Sequence, residues 1–295
     1  MPELPDLAVL VEAAHAALVG RRAAAVEIRD WLVVRGTRAE AEAFVSQRLL
    51  SIMRRGKFLS FTFERDRILL NPMLSGRLQL VAAASEAPAT RREPPAVTVR
   101  FGPRERAPTD TAPWTLGAPW LPADEGEAEL RYRDRTRMGK LYLLPAESER
   151  SIPGWDDQGP DADDPALTRD VWRARIRRHP GELKALLRNQ RFVAGIGNAY
   201  SDEILHAAHL LPFRRRARLS LEEIDALHGA TRSVLAAACA TLRQCVPPAF
   251  EVERRDLLVL AVHGRGGEPC PRCGTRLSQV GGRGSVTTFC RACQR

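Results

Sequence analysis

The sequence lacks long apolar runs. Although 44% of the 295 residues are hydrophobic, no stretch approaches the roughly 20 consecutive apolar residues that a membrane-spanning helix requires. The N-terminus also lacks the basic segment followed by an apolar segment that marks a secretory signal. No internal repeat is evident. We therefore expect a cytoplasmic protein with no membrane partner, long enough to fold as two domains.

Acidic residues are fewer than basic ones. The sequence has 45 Lys and Arg residues against 36 Asp and Glu residues, which gives a net charge of +9. Most of the excess is arginine, whose planar fork matches the oxygens of a phosphate group. The charge predicts a polyanionic partner, although basic charge alone is weak support because many soluble proteins are basic.

Cysteine is also scarce, and its six positions are unevenly placed. Cys239 and Cys245 lie in an apolar helical stretch, which favours a role in the core. The other four form the pattern Cys270-x2-Cys273-x16-Cys290-x2-Cys293, which is typical of a zinc ribbon. Without a secretion signal, zinc is favoured over disulfides. Four thiolates complete a tetrahedral site, so we predict one structural Zn²⁺ ion.

The chemistry of the sequence is concentrated at its N-terminus, Met1-Pro2-Glu3-Leu4-Pro5-Asp6. Removal of the initiator methionine would leave Pro2 with a free secondary amine. Such an amine attacks an aldehyde-like carbon and gives a cationic iminium, which is an electron sink. Glu3 and Asp6 would supply carboxylates nearby, and the helix expected from Leu7 to Leu18 would disfavour protonation of the amine. From these residues alone, a simple proline-containing helix entry is the favoured interpretation.

Period-2 alternation of apolar residues predicts a β-rich N-terminal half. The predicted strands are 25–29, 31–34, 58–63, 68–70, 76–80, 97–101, 129–134 and 140–144, with a short helix over 39–47. Many short strands behind one leading helix indicate a β-sandwich. The fold class is therefore α+β.

Apolar residues at spacings of three and four predict a helical C-terminal half. The predicted helices are 168–178, 181–190, 199–208, 220–229 and 230–245. We predict a β-sandwich domain over 1–150, a linker over 151–166, a helical domain over 167–262 and a zinc finger over 263–295. The linker is acidic and contains proline and glycine.

Two internal stretches are suited to phosphate. Arg54-Arg55-Gly56-Lys57-Phe58 is a compact cationic cluster at the entry to a strand. The turn Gly195-Ile196-Gly197-Asn198 precedes a predicted helix. Glycines of close approach and helix N-terminal amides form an anion site. The turn therefore predicts a contact with the DNA backbone.

The motifs together resemble the formamidopyrimidine-DNA glycosylase/endonuclease VIII family. They are Met1-Pro2-Glu3-Leu4-Pro5, Gly56-Lys57-Phe58-Leu59, Gly195-Ile196-Gly197-Asn198-Ala199-Tyr200 with Asp202-Glu203, and Gly267-Glu268-Pro269-Cys270 before the remaining finger cysteines. The resemblance covers nearly the whole chain. It implies a β-sandwich followed by a helix–two-turn–helix domain and a zinc finger. It also implies that Pro2 is the nucleophile, that Glu3 is the acid/base, and that Lys57 takes part at the catalytic centre by holding a phosphate beside the lesion.

The resemblance also implies residues that contact DNA. Asn198 would bind a phosphate, and Lys184 matches a helical lysine near the lesion pocket. Leu74 aligns with a residue that fills the space left by the displaced base. The second such loop aligns with Arg135-Thr136-Arg137-Met138-Gly139. Arg137 and Met138 are therefore predicted to contact DNA.

Several positions depart from the family pattern. Thr136 and Met138 stand where the family has Arg and Phe, and a threonine cannot read the opposite base as arginine does. The family arginine of the finger turn aligns with Ser285. Either Arg283 substitutes for it through a shifted hairpin, or the grip on phosphate is weaker. Asp6 replaces a second family Glu, and the segment 246–262 is short for a loop that closes over 8-oxoguanine.

The sequence thus predicts a bifunctional glycosylase and abasic-site lyase of base excision repair, acting as a monomer on damaged double-stranded DNA. The alternative is a protein that binds abasic DNA without catalysis or with lyase activity only. A ribosomal or transcription factor with a zinc ribbon is a distant third, because it explains neither the N-terminal motif nor Lys57.

Overall fold

A computed structural model of the chain describes residues 2–82, 94–244, 260–281 and 286–295. These residues form two compact units. The first contains Pro2 and residues 6–82, 94–151 and 242–244, and the second contains residues 3–5, 152–241, 260–281 and 286–295. The short segment 3–5 therefore belongs to a different unit from the residues on either side of it. The described helices include none that is long and apolar enough to cross a membrane.

The leading helix, α1, runs from Leu4 to Leu18 and begins earlier than the sequence predicts. Pro5 is tolerated in its first turn, because the N–H groups of that turn have no partner within the helix. After α1 the chain turns at Gly20, whose φ is +86°. An added Cβ there would stand 1.6 Å from the carbonyl oxygen of Arg106, so only glycine fits this turn.

The first unit contains two β-sheets. The four-stranded sheet has the order β1-β7-β8-β6, and the five-stranded sheet has the order β2-β9-β5-β4-β3. The β2–β9 pair is parallel and the other pairs are antiparallel. The strands are β1 (Arg21–Ile28), β2 (Val34–Arg35), β3 (Leu49–Arg55), β4 (Phe58–Phe63), β5 (Arg67–Asn71), β6 (Gly76–Ala82), β7 (Val97–Arg104), β8 (Ala128–Asp134) and β9 (Lys140–Leu144).

Aromatic side chains link the cores of the two sheets. Phe63 of β4 stacks on Phe101 of β7, with ring centroids 6.5 Å apart. Phe44 meets Phe63 edge to face at 5.1 Å. Buried residues of both sheets and of α1 form one hydrophobic cluster. The predicted β-sandwich with a leading helix is therefore confirmed.

Local details differ from the predicted strands. Strand β3 was not predicted, because exposed Met53, partly exposed Arg54 and exposed Arg55 interrupt its apolar alternation. The predicted strand 31–34 is mostly a 3₁₀ turn, Trp31–Val33. Asp30 caps this turn by accepting the N–H of Leu32 at 3.1 Å, a local bond that competes with strand pairing. The helix predicted over 39–47 is α2, Arg38–Ala43.

The second unit is mainly helical. Its elements are α3 (Arg169–Arg178), α4 (Leu183–Arg188), α5 (Asn198–Ala207), most of α6 (Leu221–Gln244) and the hairpin β10 (Ser278–Val280) with β11 (Thr287–Phe289). The two helices predicted over 220–245 are one helix, α6. Gly229 did not break it, because a single glycine costs a helix only about 1 kcal/mol relative to alanine.

The acidic segment 152–166 packs within the second unit. Ile152 and Ala162 are buried. Ala162 donates its N–H to the carbonyl of Ala194 at 3.0 Å, and Ala194 donates to Pro160 at 2.9 Å. From Ile152 onward, this segment is part of the compact helical unit.

Candidate active site

The carboxylate of Glu3 lies at the N-terminus of α5. It accepts hydrogen bonds from the backbone N–H groups of Gly197 at 2.6 Å, Ala199 at 2.9 Å and Tyr200 at 3.2 Å. The first N–H groups of a helix have no partner within the helix, and the helix dipole favours a negative charge beside them. Glu3 is 1% exposed. Its carboxylate is therefore held in one position.

Two glycines make room for the N-terminal segment. An added Cβ on Gly197 would lie 2.4 Å from Cδ of Glu3, and one on Gly195 would lie 2.8 Å from the side chain of Leu4. Gly195 also has a φ of +99° and accepts the N–H of Leu4 at 3.0 Å. The anion site predicted at this turn exists, but its amides hold Glu3 and not a DNA phosphate. The sequence interpretation of these amides was wrong on that point.

Lys184 and Asp202 form a buried ion pair in the second unit. The Lys184 Nζ donates to Oδ1 of Asp202 at 2.7 Å and to the carbonyl of Val286 at 2.9 Å. Their side chains are 7% and 0% exposed. Burial lowers the pKa of Lys184, and the carboxylate of Asp202 offsets part of that effect. Oδ2 of Asp202 accepts from Thr288 N–H at 3.1 Å and lies 2.7 Å from Nδ1 of His263.

Asn198 is the first residue of α5 and lies beside Lys184. Its Nδ2 donates to the same carbonyl of Val286, at 2.9 Å. Its Oδ1 is buried and has no hydrogen-bond partner among the residues that the structure describes. The structure thus brings together two of the predicted DNA-binding residues, Lys184 and Asn198, through one shared acceptor.

Glu203 has a role that the sequence did not reveal. Its carboxylate accepts the backbone N–H groups of Ala261 at 2.7 Å, Val262 at 2.9 Å and His263 at 2.8 Å. It therefore fixes the segment that leads into the zinc finger. Glu203 was part of the recognised motif, but its partners lie 58 to 60 positions away in the sequence. The motif gave no hint of these partners.

The first unit contains Pro2 and Lys57, and both are buried. Lys57 is 8% exposed and lies in the tight turn between β3 and β4, after Gly56 with its φ of +57°. Of the predicted cationic cluster, Arg55 is exposed and Arg54 is partly exposed. Arg54 also donates to the carbonyl of Gly56 at 3.1 Å.

Leu74 and Met138 are exposed apolar side chains on two loops of the first unit, with exposures of 48% and 44%. Asp134 joins these loops. It accepts hydrogen bonds from the hydroxyl of Ser75 and from the N–H of Gly139, the latter at 2.6 Å. Because one carboxylate holds both loops, the two apolar side chains belong to one locally ordered surface.

Thr136 and Arg137 lie on the same loop as Met138, between β8 and β9. The Thr136 hydroxyl lies within hydrogen-bond reach of Ser75 Oγ and 3.4 Å from Asp134 Oδ1. The hydroxyl of Thr136 therefore makes its contacts within the protein, with Ser75 and Asp134. Arg137 has a φ of +57°, and its Nε donates to Asp30 at 2.6 Å, while its side chain remains 58% exposed.

The four cysteines of the ribbon pattern meet in the second unit. Cys270, Cys273, Cys290 and Cys293 place their sulfur atoms within 4.8 Å of one another. A set of four sulfur donors in two Cys-x2-Cys knuckles fits Zn²⁺ and leaves no position for a substrate, so the site is structural. Arg283, Ser285 and residues 246–259 of the short segment lie outside the described residues.

Comparisons with known proteins cover the whole chain. Residues 1–141 match the formamidopyrimidine-DNA glycosylase N-terminal domain, residues 158–246 match the formamidopyrimidine-DNA glycosylase H2TH domain, and residues 267–295 match the zinc finger found in FPG and IleRS. The chain is 33% identical to the formamidopyrimidine-DNA glycosylase of Geobacillus kaustophilus over 100% of both chains. It is 31% identical to that of Exiguobacterium sibiricum over 100% of this chain and 99% of the relative.

Solved structures share the fold. The MutM (Fpg) protein of Thermus thermophilus is 27% identical, with a TM-score of 0.75, over 99% of this chain and 98% of that one. Lactococcus lactis formamidopyrimidine-DNA glycosylase, bound to DNA containing an abasic site, is 23% identical, with a TM-score of 0.77, over 99% of both chains. The matches to the N-terminal, H2TH and zinc-finger domains, and to full-length relatives, show that this chain belongs to the formamidopyrimidine-DNA glycosylase family.

Proposed function

We propose that this DNA glycosylase family member is bifunctional, removing a damaged base and then cleaving the strand through a Schiff base on Pro2. One observation carries the proposal. Glu3, the residue next to Pro2, has its carboxylate fixed by three backbone N–H groups at a buried helix terminus. A fixed carboxylate on the residue that follows the amine in the sequence suits a proton-transfer role.

The first step exchanges the base for the amine. The Pro2 nitrogen forms a bond to the anomeric carbon, and the bond from that carbon to the base breaks with its electrons going to the base. As a carboxylate, Glu3 takes the proton that the amine loses and delivers it to the sugar ring oxygen as the ring opens. The product is an iminium between Pro2 and the opened sugar.

The second step cleaves the strand. The iminium withdraws electrons, so the neighbouring sugar carbon loses a proton and the 3′ phosphate leaves with the electron pair of its C–O bond. A second elimination of the same kind would release the 5′ phosphate. Hydrolysis of the iminium then returns Pro2 to its free amine. Removal of the base requires that the damaged nucleotide first leave the base stack. The eliminations act on the opened sugar and have no such requirement.

The proposed DNA contacts come from both units. Lys57 and Arg283 would pair with backbone phosphates, Asn198 would donate a hydrogen bond to one, and Lys184 would lie near the lesion pocket. The zinc finger would support the grip on a kinked duplex. Leu74 and Met138 would fill the space left by the displaced base, because both are apolar and exposed. Arg137 would contact DNA from the same loop. The partner is damaged double-stranded DNA, bound by a monomer.

We also propose weak discrimination of the base opposite the lesion. The Thr136 hydroxyl is engaged with Ser75 and Asp134 inside its loop. It is therefore not available to reach a base edge. Cleavage rates should differ little among duplexes that place each of the four bases opposite the same lesion.

One observation favours a second candidate, a damaged-DNA binder with lyase activity only or without catalysis. The three N–H bonds to Glu3 also describe an ordinary helix cap, which needs no chemistry. In that case Glu3 would stabilise α5, and base excision would be absent.

Borohydride trapping separates the two candidates. Duplexes carrying one abasic site, 8-oxoguanine, formamidopyrimidine, thymine glycol or dihydrouracil would be incubated with the protein and scored for strand cleavage and for a covalent adduct. The proposal predicts adduct and cleavage on abasic DNA and on at least one damaged base. Adduct on abasic DNA alone would support the lyase-only candidate, and tight binding without adduct would support the non-catalytic one.

The control is a substitution of Glu203, a second buried carboxylate that accepts three backbone N–H groups as Glu3 does. Glu203→Gln alters the other carboxylate that accepts three backbone N–H groups in the same unit, but it leaves the neighbour of Pro2 unchanged. Glu3→Gln should lower base excision per folded molecule by about 10²- to 10⁴-fold, while Glu203→Gln should reduce stability and keep the trapping reaction. Equal loss in both variants would contradict a chemical role for Glu3.

A further inference from the structure

A buried histidine touches one sulfur atom of the zinc site. Nε2 of His206, in the last turn of α5, lies 3.4 Å from Sγ of Cys270. The two residues are 5% and 3% exposed, so water does not separate them. The group of residues that could hold the ion consists of the four cysteines and does not include His206. The contact therefore lies outside the set of metal ligands.

The chemistry of the pair fixes the direction of the hydrogen bond. A cysteine that ligates zinc is a thiolate and has no proton to donate. The contact must then be an Nε2–H of His206 donating to Sγ of Cys270. Four thiolates and one divalent ion carry a net negative charge, and a buried charge is costly unless hydrogen-bond donors face it.

Neighbouring contacts hold His206 in place. Arg272, which lies between the first two cysteines, donates Nη1 to the carbonyl of His206 at 3.0 Å. The same nitrogen lies 3.2 Å from Nδ1 of His209, and the ring of His209 lies 3.2 Å from the carbonyl of Cys293. Arg272 thus joins the end of α5 to the first cysteine knuckle, and His209 joins it to the second.

We propose that His206 is a positioning residue for the structural zinc, donating a hydrogen bond to the Cys270 thiolate and so coupling zinc retention to helix α5. The role is independent of the chemistry proposed for Pro2. It concerns how tightly the ion is held and how the finger is fixed to the helical unit. Partners of this kind orient metal ligands and typically change metal affinity by about 10- to 100-fold when removed.

The test compares variants that keep or remove the donor. His206→Phe keeps the ring and has no N–H, whereas His206→Gln places an amide N–H near the position of Nε2. Zinc release from full-length protein would be followed with a colorimetric chelator. We expect release from His206→Phe to be about 10- to 100-fold faster than from the unsubstituted protein, and near normal from His206→Gln. His206→Met provides a second variant without a donor if the Phe variant does not fold.

A matched control lies one turn away. His209→Asn alters the other histidine at this helix end, which contacts a carbonyl and Arg272 but no sulfur. Asn tolerates the φ of +62° found at this position. His209→Asn should leave zinc release within a few-fold of normal.

Cobalt substitution supplies a readout that depends on the sulfur itself. Loss of a donor to one thiolate should shift the sulfur-to-cobalt charge-transfer band of His206→Phe to lower energy, with His206→Gln close to the unsubstituted protein. Unchanged release and an unchanged band in His206→Phe would overturn the proposal. Equal acceleration in the Phe and Gln variants would also overturn it, because packing and not the hydrogen bond would then be the cause.

Discussion

The two ends of α5 make polar contacts that serve different purposes. At its N-terminal end, backbone amides of Gly197, Ala199 and Tyr200 hold the carboxylate of Glu3. At its C-terminal end, His206 faces a cysteine of the zinc site. The first end offers its amides to an acidic side chain, and the second offers a side-chain donor to a thiolate. Substitutions at the N-terminal end should lower the rate of base excision. Substitutions at the C-terminal end should weaken zinc retention and lower thermal stability.

The largest effect should follow zinc removal. A chelator that strips the ion should abolish cooperative unfolding of the second unit, because structural zinc in isolated fingers contributes about 10–16 kcal/mol of binding free energy at neutral pH. Thermal unfolding followed by circular dichroism, before and after addition of Zn²⁺, measures this. A thermal transition that does not change on chelation would show that the finger does not depend on the ion.

The next largest effect should come from Glu3→Gln. Removing a positioned acid/base typically lowers the rate by about 10²- to 10⁴-fold, or about 3–5 kcal/mol of barrier. Excision of a damaged base, measured in single turnover, should fall by this amount while abasic-site cleavage is less affected. Retention of full excision activity would reduce Glu3 to a helix cap.

Gly197→Ala tests the same end of α5 through packing. The added Cβ would stand 2.4 Å from Cδ of buried Glu3, and overpacking of this kind costs about 1–3 kcal/mol. We expect a lower melting temperature together with reduced excision. Gly229→Ala is the control, because a Cβ there meets nothing within 4 Å. Equal melting temperatures of the two variants would contradict the predicted clash.

A smaller effect should come from phosphate contacts. Asn198→Ala should leave zinc content unchanged and weaken binding of abasic DNA modestly at low salt. Lys57→Ala should in addition reduce the slope of log affinity against log salt concentration by about one unit, because one counterion fewer is released. Fluorescence anisotropy at several salt concentrations gives both values. An unchanged slope for Lys57→Ala would remove that lysine from the phosphate contacts.

The sequence predicted the parts of this protein that depend on local pattern. The cysteine spacing located the metal site, and the glycines of the turn located an anion site, because metal knuckles and tight turns are encoded by adjacent residues. It did not predict which anion fills that turn, since Glu3 and Gly197 are 194 positions apart. The bond of Asp134 to Ser75 and the bond of Glu203 to Val262 were missed for the same reason, because each joins residues 59 positions apart. Strand β3 was missed because its apolar alternation is irregular.

We propose above all that the processed chain uses the nitrogen of Pro2 as its nucleophile. The most direct test is mass spectrometry of the peptide that remains bound to abasic DNA after borohydride reduction and proteolysis. We expect an N-terminal peptide that lacks Met1 and carries the reduced sugar on the nitrogen of Pro2, and no adduct with Pro2→Gly. An adduct on a lysine, or active protein that retains Met1, would contradict it.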